Sequence, residues 1–511
     1  MNDGGSNGGN GGWRNRADDG RDRKGRQRSG ARLRGDRQRS GQAPSERRRH
    51  SDPPRQLSYE VLNEVSESDA YANLLLPPRL ARRQITGRDA GFATELTYGT
   101  LRLQGRYDAI LTTCVNQSFA GLERPLQNVL RLGAHQLLGM RVPNHAAVSE
   151  TVALARANLG AGSAQLVNAV LRRVSEKSLD EWLAILRDNA KTPLEAVSQI
   201  ESHPVWIVRA FRDALVADGR PVADIDALLA ADNEAPLVSL VIRPGSAQHQ
   251  LTGTEPGILA PTAERLLSGD PARIPAVVEG RVGVQDEGSQ AVTLALVAVP
   301  IDGSDQRWLD LCAGPGGKAA LLGALAAQRG ARLVANEISE HRAELVRQSL
   351  KAIPSQAVEQ IRVGDGRELG ELEPGMFDRV LVDAPCSGLG ALRRRPEARW
   401  RRQPSDIAAL RPLQTELLVS ALMAVRIGGV VGYVTCSPHM AETTVVVDDA
   451  IRQAKKHGLA VAKIDAASAL KNVVLAQMRD RIAERPDLAA QLWPHVHHSD
   501  AMFLALLRRE G

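Results

Sequence analysis

The sequence predicts a multi-domain chain: an all-α N-terminal body, a small α/β module, and a C-terminal α/β domain on a doubly wound sheet. Three observations predict it. Apolar residues recur at three- and four-residue steps from about 58 to 174. From Trp308 onward, short β-branched runs alternate with amphipathic stretches. The 511 residues exceed one ordinary core, since a domain takes roughly 150. Hydrophobic content of 43% and charged content of 24% are those of a globular protein. No uninterrupted apolar run reaches the ~18 residues that span a bilayer, and the polar N-terminus has no apolar signal core. The expectation is a cytoplasmic protein without a membrane partner. Cys114, Cys312, Cys386 and Cys436 form no C-x-x-C pair. That pattern predicts neither a disulfide framework nor a metal module.

Residues 1–55 carry 15 Lys+Arg against 7 Asp+Glu, a net +8, and almost no large apolar side chains. The remainder holds 50 basic and 52 acidic residues, so the basic character belongs to this tail. Such a segment cannot bury enough surface to offset its ordering entropy and reads as disordered. It is either a solvated tail or an arm attracted to a polyanion by counterion release.

The helical body is expected over 56–177. Its clearest segments are 88–102 (RDAGFATELTYGTLR), a helix opened by Pro125 with Leu126, Val129, Leu130 and Leu137 on one face, and 164–174 (AQLVNAVLRRV). Further helices over 178–235, a strand in 236–244 and the run 281–290 leading into a helix over 291–297 make 178–300 a linker plus small α/β module. The doubly wound domain is expected over 301–511. Its strands are predicted at 307–311, 332–335, 360–363, 379–382 and 430–435, with ligands at their C-terminal ends.

Three motifs fall at those ends. The first, 309–318 (LDLCAGPGGK), is a glycine turn between strand and helix, where Gly314, Gly316 and Gly317 let the backbone approach a ligand. It is not a phosphate loop: Cys312 and Ala319 stand where a Walker A motif needs Gly and Ser/Thr. Glu337, at the end of the next strand, is placed to accept bonds from both hydroxyls of a ribose. Asp365, one strand later, is placed for an adenine amino group. Together these suit S-adenosylmethionine. The second motif is 382–390 (VDAPCSGLG) and the third 434–438 (VTCSP). Each puts a cysteine just past a strand end.

A thiol has a chemical use beside a methyl donor. Carbon 5 of a pyrimidine is a poor nucleophile until a thiolate adds to carbon 6. Cysteine both attacks well and leaves well. An acid near N3, for which Asp383 is the candidate, would stabilise the adduct. Spacing alone does not rank the two thiols.

In this order, the three motifs resemble the RNA cytosine-5 methyltransferases. The helical region with RDAGFATELTYGTLR resembles the NusB-type domain fused to one bacterial branch, the 16S rRNA methyltransferase B (Sun/Fmu) family. The resemblance runs from about Ser58 to the C-terminus. It implies a NusB-like all-α RNA-binding domain, a small α/β module, and a Rossmann-like class I S-adenosylmethionine methyltransferase domain. It implies Cys436 as nucleophile, Cys386 as the group assisting product release, and Asp383 as the acid at the base. Cys312, Ala313, Gly314, Pro315, Gly316, Gly317, Lys318, Glu337, Asp365 and Asp383 would hold S-adenosylmethionine, and 16S rRNA would be the partner. DNA enzymes use a Pro-Cys nucleophile usually followed by Gln; here Ser387 follows, with a second cysteine elsewhere. Rival readings are a cytosine-5 methyltransferase on another RNA such as tRNA, or an antitermination-like binding protein with a decayed catalytic fold.

The chain departs from the family pattern at several points. Gly314 stands where Ala is commoner, Glu337 where Asp is, and 438–443 (PHMAET) replaces an acidic pair and Asn. Ala501-Met502-Phe503 replaces Gly-Phe-Phe. The arginine-rich stretch 393–402 (RRRPEARWRR) combines cations with an aromatic. Arg393, Arg394, Arg399 and Trp400 are therefore expected to contact RNA. His439, with no second ligand nearby, reads as a loop histidine.

Overall fold

The computed structural model of the chain describes residues 52–68, 70–246 and 251–511. All of the basic tail except its last four residues lies outside them.

Seven helices form the N-terminal body: Pro53–Glu67, Ala72–Arg82, Gly87–Arg102, Gln104–Cys114, Arg124–Leu138, Asn144–Leu159 and Ala161–Val174. The first starts on a capping Asp52 with Pro53 and Pro54 in its opening turn, where their missing amides cost nothing. Helix Arg124–Leu138 is the hub and packs against five of the others. Its Val129, Leu130 and Leu132 are fully buried, while Leu126 and Leu137 close the flanks.

Four helices follow: Leu179–Asn189, Pro193–Ile200, Val205–Ala217 and Asp224–Asn233. Ser178 and Glu181 cap the first of these reciprocally. Then comes a small antiparallel sheet of β1 (Val238–Ile242), β2 (Thr254–Pro256), β3 (Ala263–Leu266) and β4 (Val282–Val284), in the order β2-β3-β1-β4. Helix Glu287–Ala298, expected in this module, touches it at its N-terminal end, where Gln290 donates to Leu240 O and Glu287 accepts from the amides of Ile258, Leu259 and Ala260, and extends into the C-terminal core. Its Ala291, Val292, Ala295 and Leu296 join Trp308, Val430 and Leu504 in the C-terminal core.

The C-terminal sheet holds β5 (Arg307–Asp310), β6 (Arg332–Glu337), β7 (Val358–Val363), β8 (Phe377–Asp383), β9 (Val425–Thr435), β10 (Val461–Ile464), β11 (Ala490–Gln491) and β12 (Phe503–Arg509). The order is β10-β12-β9-β8-β5-β6-β7, with β11 beside β12. Strands β5 to β9 pair in parallel, and β12 runs antiparallel to both β9 and β10. Alternate residues feed opposite layers, as the strand period requires. Trp308, Leu333, Leu381 and Val430 enter one core, and Leu309, Val334, Val380 and Val431 the other. The 21-residue helix Pro404–Ala424 is apolar and long enough to cross a bilayer by composition. Here Leu417, Leu418 and Leu422 are spent in the second core.

The chain goes from β5 outward through β6 and β7, then returns to β8 on the other flank of β5. The crevice at the C-terminal ends of β5 and β8 is therefore the switch point where such sheets bind ligands.

Candidate active site

A cavity of about 550 Å³ opens at that switch point. The turn after β5 forms one wall. Gly316 caps the following helix Gly317–Arg329 at φ +110°, a conformation side chains rarely adopt. Glu337, last in β6, is 3% exposed. It accepts from the amides of Gly314 (3.0 Å) and Ser339 (3.1 Å) and pairs with Arg342 at 3.5 Å. A Cβ on Gly314 would lie 2.3 Å from Glu337 Oε2. The two departures from the family pattern thus fit one another: the longer carboxylate occupies the space that alanine would take. Ile338 next door is 64% exposed and lines the cavity, an apolar surface suited to a flat ring.

Asp365, just past β7, is also in the wall. Arg367 grips it through backbone and guanidinium, and those hydrogen bonds hold its carboxyl below the usual range. Asn336 stitches the floor, donating to the carbonyls of Leu311 (3.0 Å) and Gly364 (3.1 Å). Asp310 lies beneath, fully buried, with neither oxygen in a hydrogen bond of ordinary geometry. Burial, then the charge of Asp383, push it up to about 8.

The opposite wall carries the thiols. Cys386 Sγ and Cys436 Sγ lie 3.4 Å apart, both free, and both face the cavity. Lys318 Nζ sits 2.8 Å from Asp383 Oδ2, and its charge is felt at Cys436. Burial alone would lower the Lys318 ammonium, but Asp383 and its neighbours outweigh that and hold it above its ordinary value. The paired thiols split. The hydrogen bond from Cys386 lowers Cys436 despite burial, with help from Lys318. The same bond, burial and the charge of Glu442 push Cys386 up. A thiol that ionises more easily beside one that ionises less easily is an arrangement suited to thiol chemistry.

Two comparisons concern the chain's parts. Residues 299–508 match the family model "16S rRNA methyltransferase RsmB/F", and residues 52–176 match the NusB family. Whole-chain relatives agree. A putative methyltransferase of Mycobacterium tuberculosis is 49% identical over 469 residues, covering 91% of this chain and 98% of that protein. The ribosomal RNA small subunit methyltransferase B of Pseudomonas putida is 31% identical, covering 77% and 88%. The chain belongs to the RsmB/F family. It is an RNA methyltransferase with a NusB helical domain and a Rossmann-like catalytic domain. A probable enzyme of the same name from Bacillus subtilis is 28% identical over 89% of this chain and 99% of that one. The crystal structure of PH0851 shares the fold, with TM-score 0.69 at 20% identity over 90% of this chain and 100% of that one.

For an RsmB/F chain, the arginine-rich stretch holds a surprise. Arg399 is fully buried, and its guanidinium is spent on the carbonyls of Arg102, Ser202 and Asp232 and on Asn233 Oδ1. Arg393 is 7% exposed and donates to His498 O. Trp400 is wedged against Gly105, where a Cβ would lie 2.4 Å from its ring, and its Nε1 is buried. Arg399 and Trp400 tie the catalytic domain to the helices before it, and the expected RNA contact of Arg399 is corrected, because a fully buried guanidinium has no face left for RNA; Trp400 stays half-buried. Arg394 alone of the four faces the cavity, paired with Asp500. Arg399→Ala is expected to lose about 3 kcal/mol of stability, because several carbonyls lose their donor. Thermal melting checks this; unchanged melting with weakened RNA binding would restore the contact reading.

Sequence reasoning missed several wall residues. Asp286 comes from the residues before the catalytic domain, and burial followed by the charge of Asp500 pushes it up to about 6. Tyr71 reaches in from the helical body, its ring 5.1 Å from the Arg395 guanidinium and 5.2 Å from that of Arg401. Neither carries a local motif. His439 accepts from the Ala441 amide and caps its own turn. Among the described residues, no group of three or more His, Cys, Asp or Glu is placed to hold a metal.

Proposed function

We propose that this protein methylates carbon 5 of a cytidine in 16S rRNA, using S-adenosylmethionine and a covalent Cys436 adduct. The observation that carries the reading is the pair of free thiols 3.4 Å apart in the wall of one cavity that also holds Glu337 and the glycine turn. The RNA class rests on the printed names of relatives such as the Pseudomonas putida enzyme.

The wall residues suit the cofactor. Glu337 offers a carboxylate for ribose hydroxyls, Ile338 an apolar face for adenine, and the Cys312–Lys318 turn a close backbone approach. Bound there, S-adenosylmethionine supplies an electrophilic methyl group. The protein's own groups do the rest. The Cys436 thiolate adds to carbon 6 of the ring, which makes carbon 5 enamine-like and able to accept methyl. Lys318 favours that thiolate and orients Asp383 toward the base. The Lys318 ammonium, 2.8 Å from Asp383 Oδ2, supplies the proton that Asp383 passes to N3 as the ring loses aromaticity. Once Cys436 is bonded to carbon its charge no longer opposes ionisation of Cys386. Cys386 gives its own proton to solvent and, as thiolate, takes up the carbon-5 proton, so that the Cys436–carbon bond breaks and Cys436 leaves as thiolate.

Tritiated methyl transfer to purified 16S rRNA, tRNA and duplex DNA tests the substrate. The reading expects label in 16S rRNA at carbon 5 of cytidine; label only in tRNA or DNA would replace it. At the cofactor end, Gly314→Ala is expected to weaken S-adenosylmethionine binding by about tenfold, near 1.4 kcal/mol, by displacing Glu337. Adding Glu337→Asp should recover most of it. Calorimetry reads both; undiminished binding by Gly314→Ala would remove Glu337 from the cofactor site.

A further inference from the structure

Glu442 lies six residues beyond Cys436, in the short turn Met440–Glu442, within a loop that departs from the family pattern. It is fully buried, yet every hydrogen-bonding partner of its carboxylate is a neutral donor. Oε1 accepts from the Ser387 amide at 2.7 Å and from Gln414 Nε2 at 3.3 Å. Oε2 accepts from the hydroxyls of Ser387 and Ser437, the latter at 2.6 Å. Ser387 directly follows Cys386, and Ser437 directly follows Cys436. Gln414 in turn donates to Pro385 O at 2.8 Å, the residue before Cys386. The Tyr433 hydroxyl, at 2.8 Å, fixes the carbonyl of Glu442 itself. Both cysteine loops are therefore bonded to one carboxylate.

A buried carboxylate with no cation is costly and persists only where its hydrogen bonds are all made. An apolar residue would fill the space at less cost but could not tie two loops together. We propose that Glu442 is a positioning residue for methyl transfer, a carboxylate clamp that sets the Cys386 and Cys436 loops so both thiols meet one pyrimidine. The inference rests on the two-thiol reaction above. Its charge adds a second effect, since it opposes ionisation of Cys386.

The test uses the full chain with Glu442→Gln, Glu442→Asp and the double variant Ser387→Ala/Ser437→Ala, each also in a Cys386→Ala background. Glutamine keeps the volume and loses the charge; aspartate keeps the charge and cannot span both serines. Both are expected to lower kcat by about 100-fold, the cost of misplacing reacting groups by an ångström. KM for S-adenosylmethionine and for rRNA should stay near the parent values in the Glu442 variants, because Glu442 does not itself line the cavity. Adduct formation in the Cys386→Ala background should slow by the same factor. Diamide, which oxidises adjacent thiols, should join Cys386 to Cys436 more slowly in each Glu442 variant, as located by peptide mapping. The clamp is overturned if any of the three variants forms adduct at the parent rate, or if lost turnover is matched by lost cofactor affinity or lost folding. Absence of adduct in the Cys386→Ala parent itself would instead overturn the two-thiol reaction, so the two failures are distinct.

Discussion

Cys386→Ala protein is expected to remain covalently attached to its RNA, whereas Cys436→Ala forms no adduct and loses at least about 10⁴-fold in turnover. The structure orders the thiols for physical reasons. The neighbouring Cys386 Sγ at 3.4 Å and the Lys318 ammonium both favour ionisation of Cys436. The Cys436 contact, burial and the charges of Cys436 and Glu442 all oppose ionisation of Cys386. Removing Cys386 leaves a nucleophile able to attack but no neighbouring thiol to assist carbon-5 deprotonation, and the adduct accumulates. Both substitutions remove only a sulfur in a cavity wall, so thermal melting should change little. Denaturing electrophoresis with labelled rRNA reads the result; the reverse pattern would exchange the two roles.

Lys318→Met should be nearly as severe and should act in two ways. The ammonium is 11% exposed and lies 2.8 Å from Asp383, in a wall that also feels Asp310 and Glu337. Losing one partner of such a pair costs about 3 kcal/mol, the low end of the range because Asp383 is partly exposed. The second effect is on chemistry. The cation favours the Cys436 thiolate, so its loss raises that thiol's pKa and moves the acidic limb of the pH–rate profile to higher pH. Iodoacetamide alkylation of Cys436 across pH should show the same alkaline shift. An unchanged profile would mean that Cys386 alone sets the thiolate.

Much of this arrangement was legible because it is local. The apolar runs at β5, β6, β8 and β9 mark strands buried on both sides, and a motif follows three of them directly. The pairing of two cysteines was legible as chemistry but not as geometry: 50 residues separate them, and only the parallel pairing of β8 with β9 brings their ends together. The antiparallel β12 was not legible, since direction leaves no trace in a run such as Phe503–Arg509.

The arginine-rich stretch misled for a related reason. Composition reports cations and an aromatic; it does not report that Arg399 meets four acceptors contributed by residues 102, 202, 232 and 233. A charged residue facing solvent and one satisfied inside a domain seam read alike in one dimension. Helix Glu287–Ala298 serves the small module and the C-terminal core at once, because its apolar residues say that it is buried, not against what. Glu442 was hidden twice, by a loop unlike its relatives and by partners that lie on the far cysteine loop.

The most direct measurement traps the wild-type enzyme on 16S rRNA containing 5-fluorocytidine, with S-adenosylmethionine, and maps the attachment by peptide mass spectrometry. Fluorine cannot leave as a proton does, so an adduct that has taken up methyl is stalled. The account predicts one peptide carrying a methylated fluorocytidine on Cys436. A nucleotide on Cys386, or methylated RNA with no protein attached under these conditions, would contradict it.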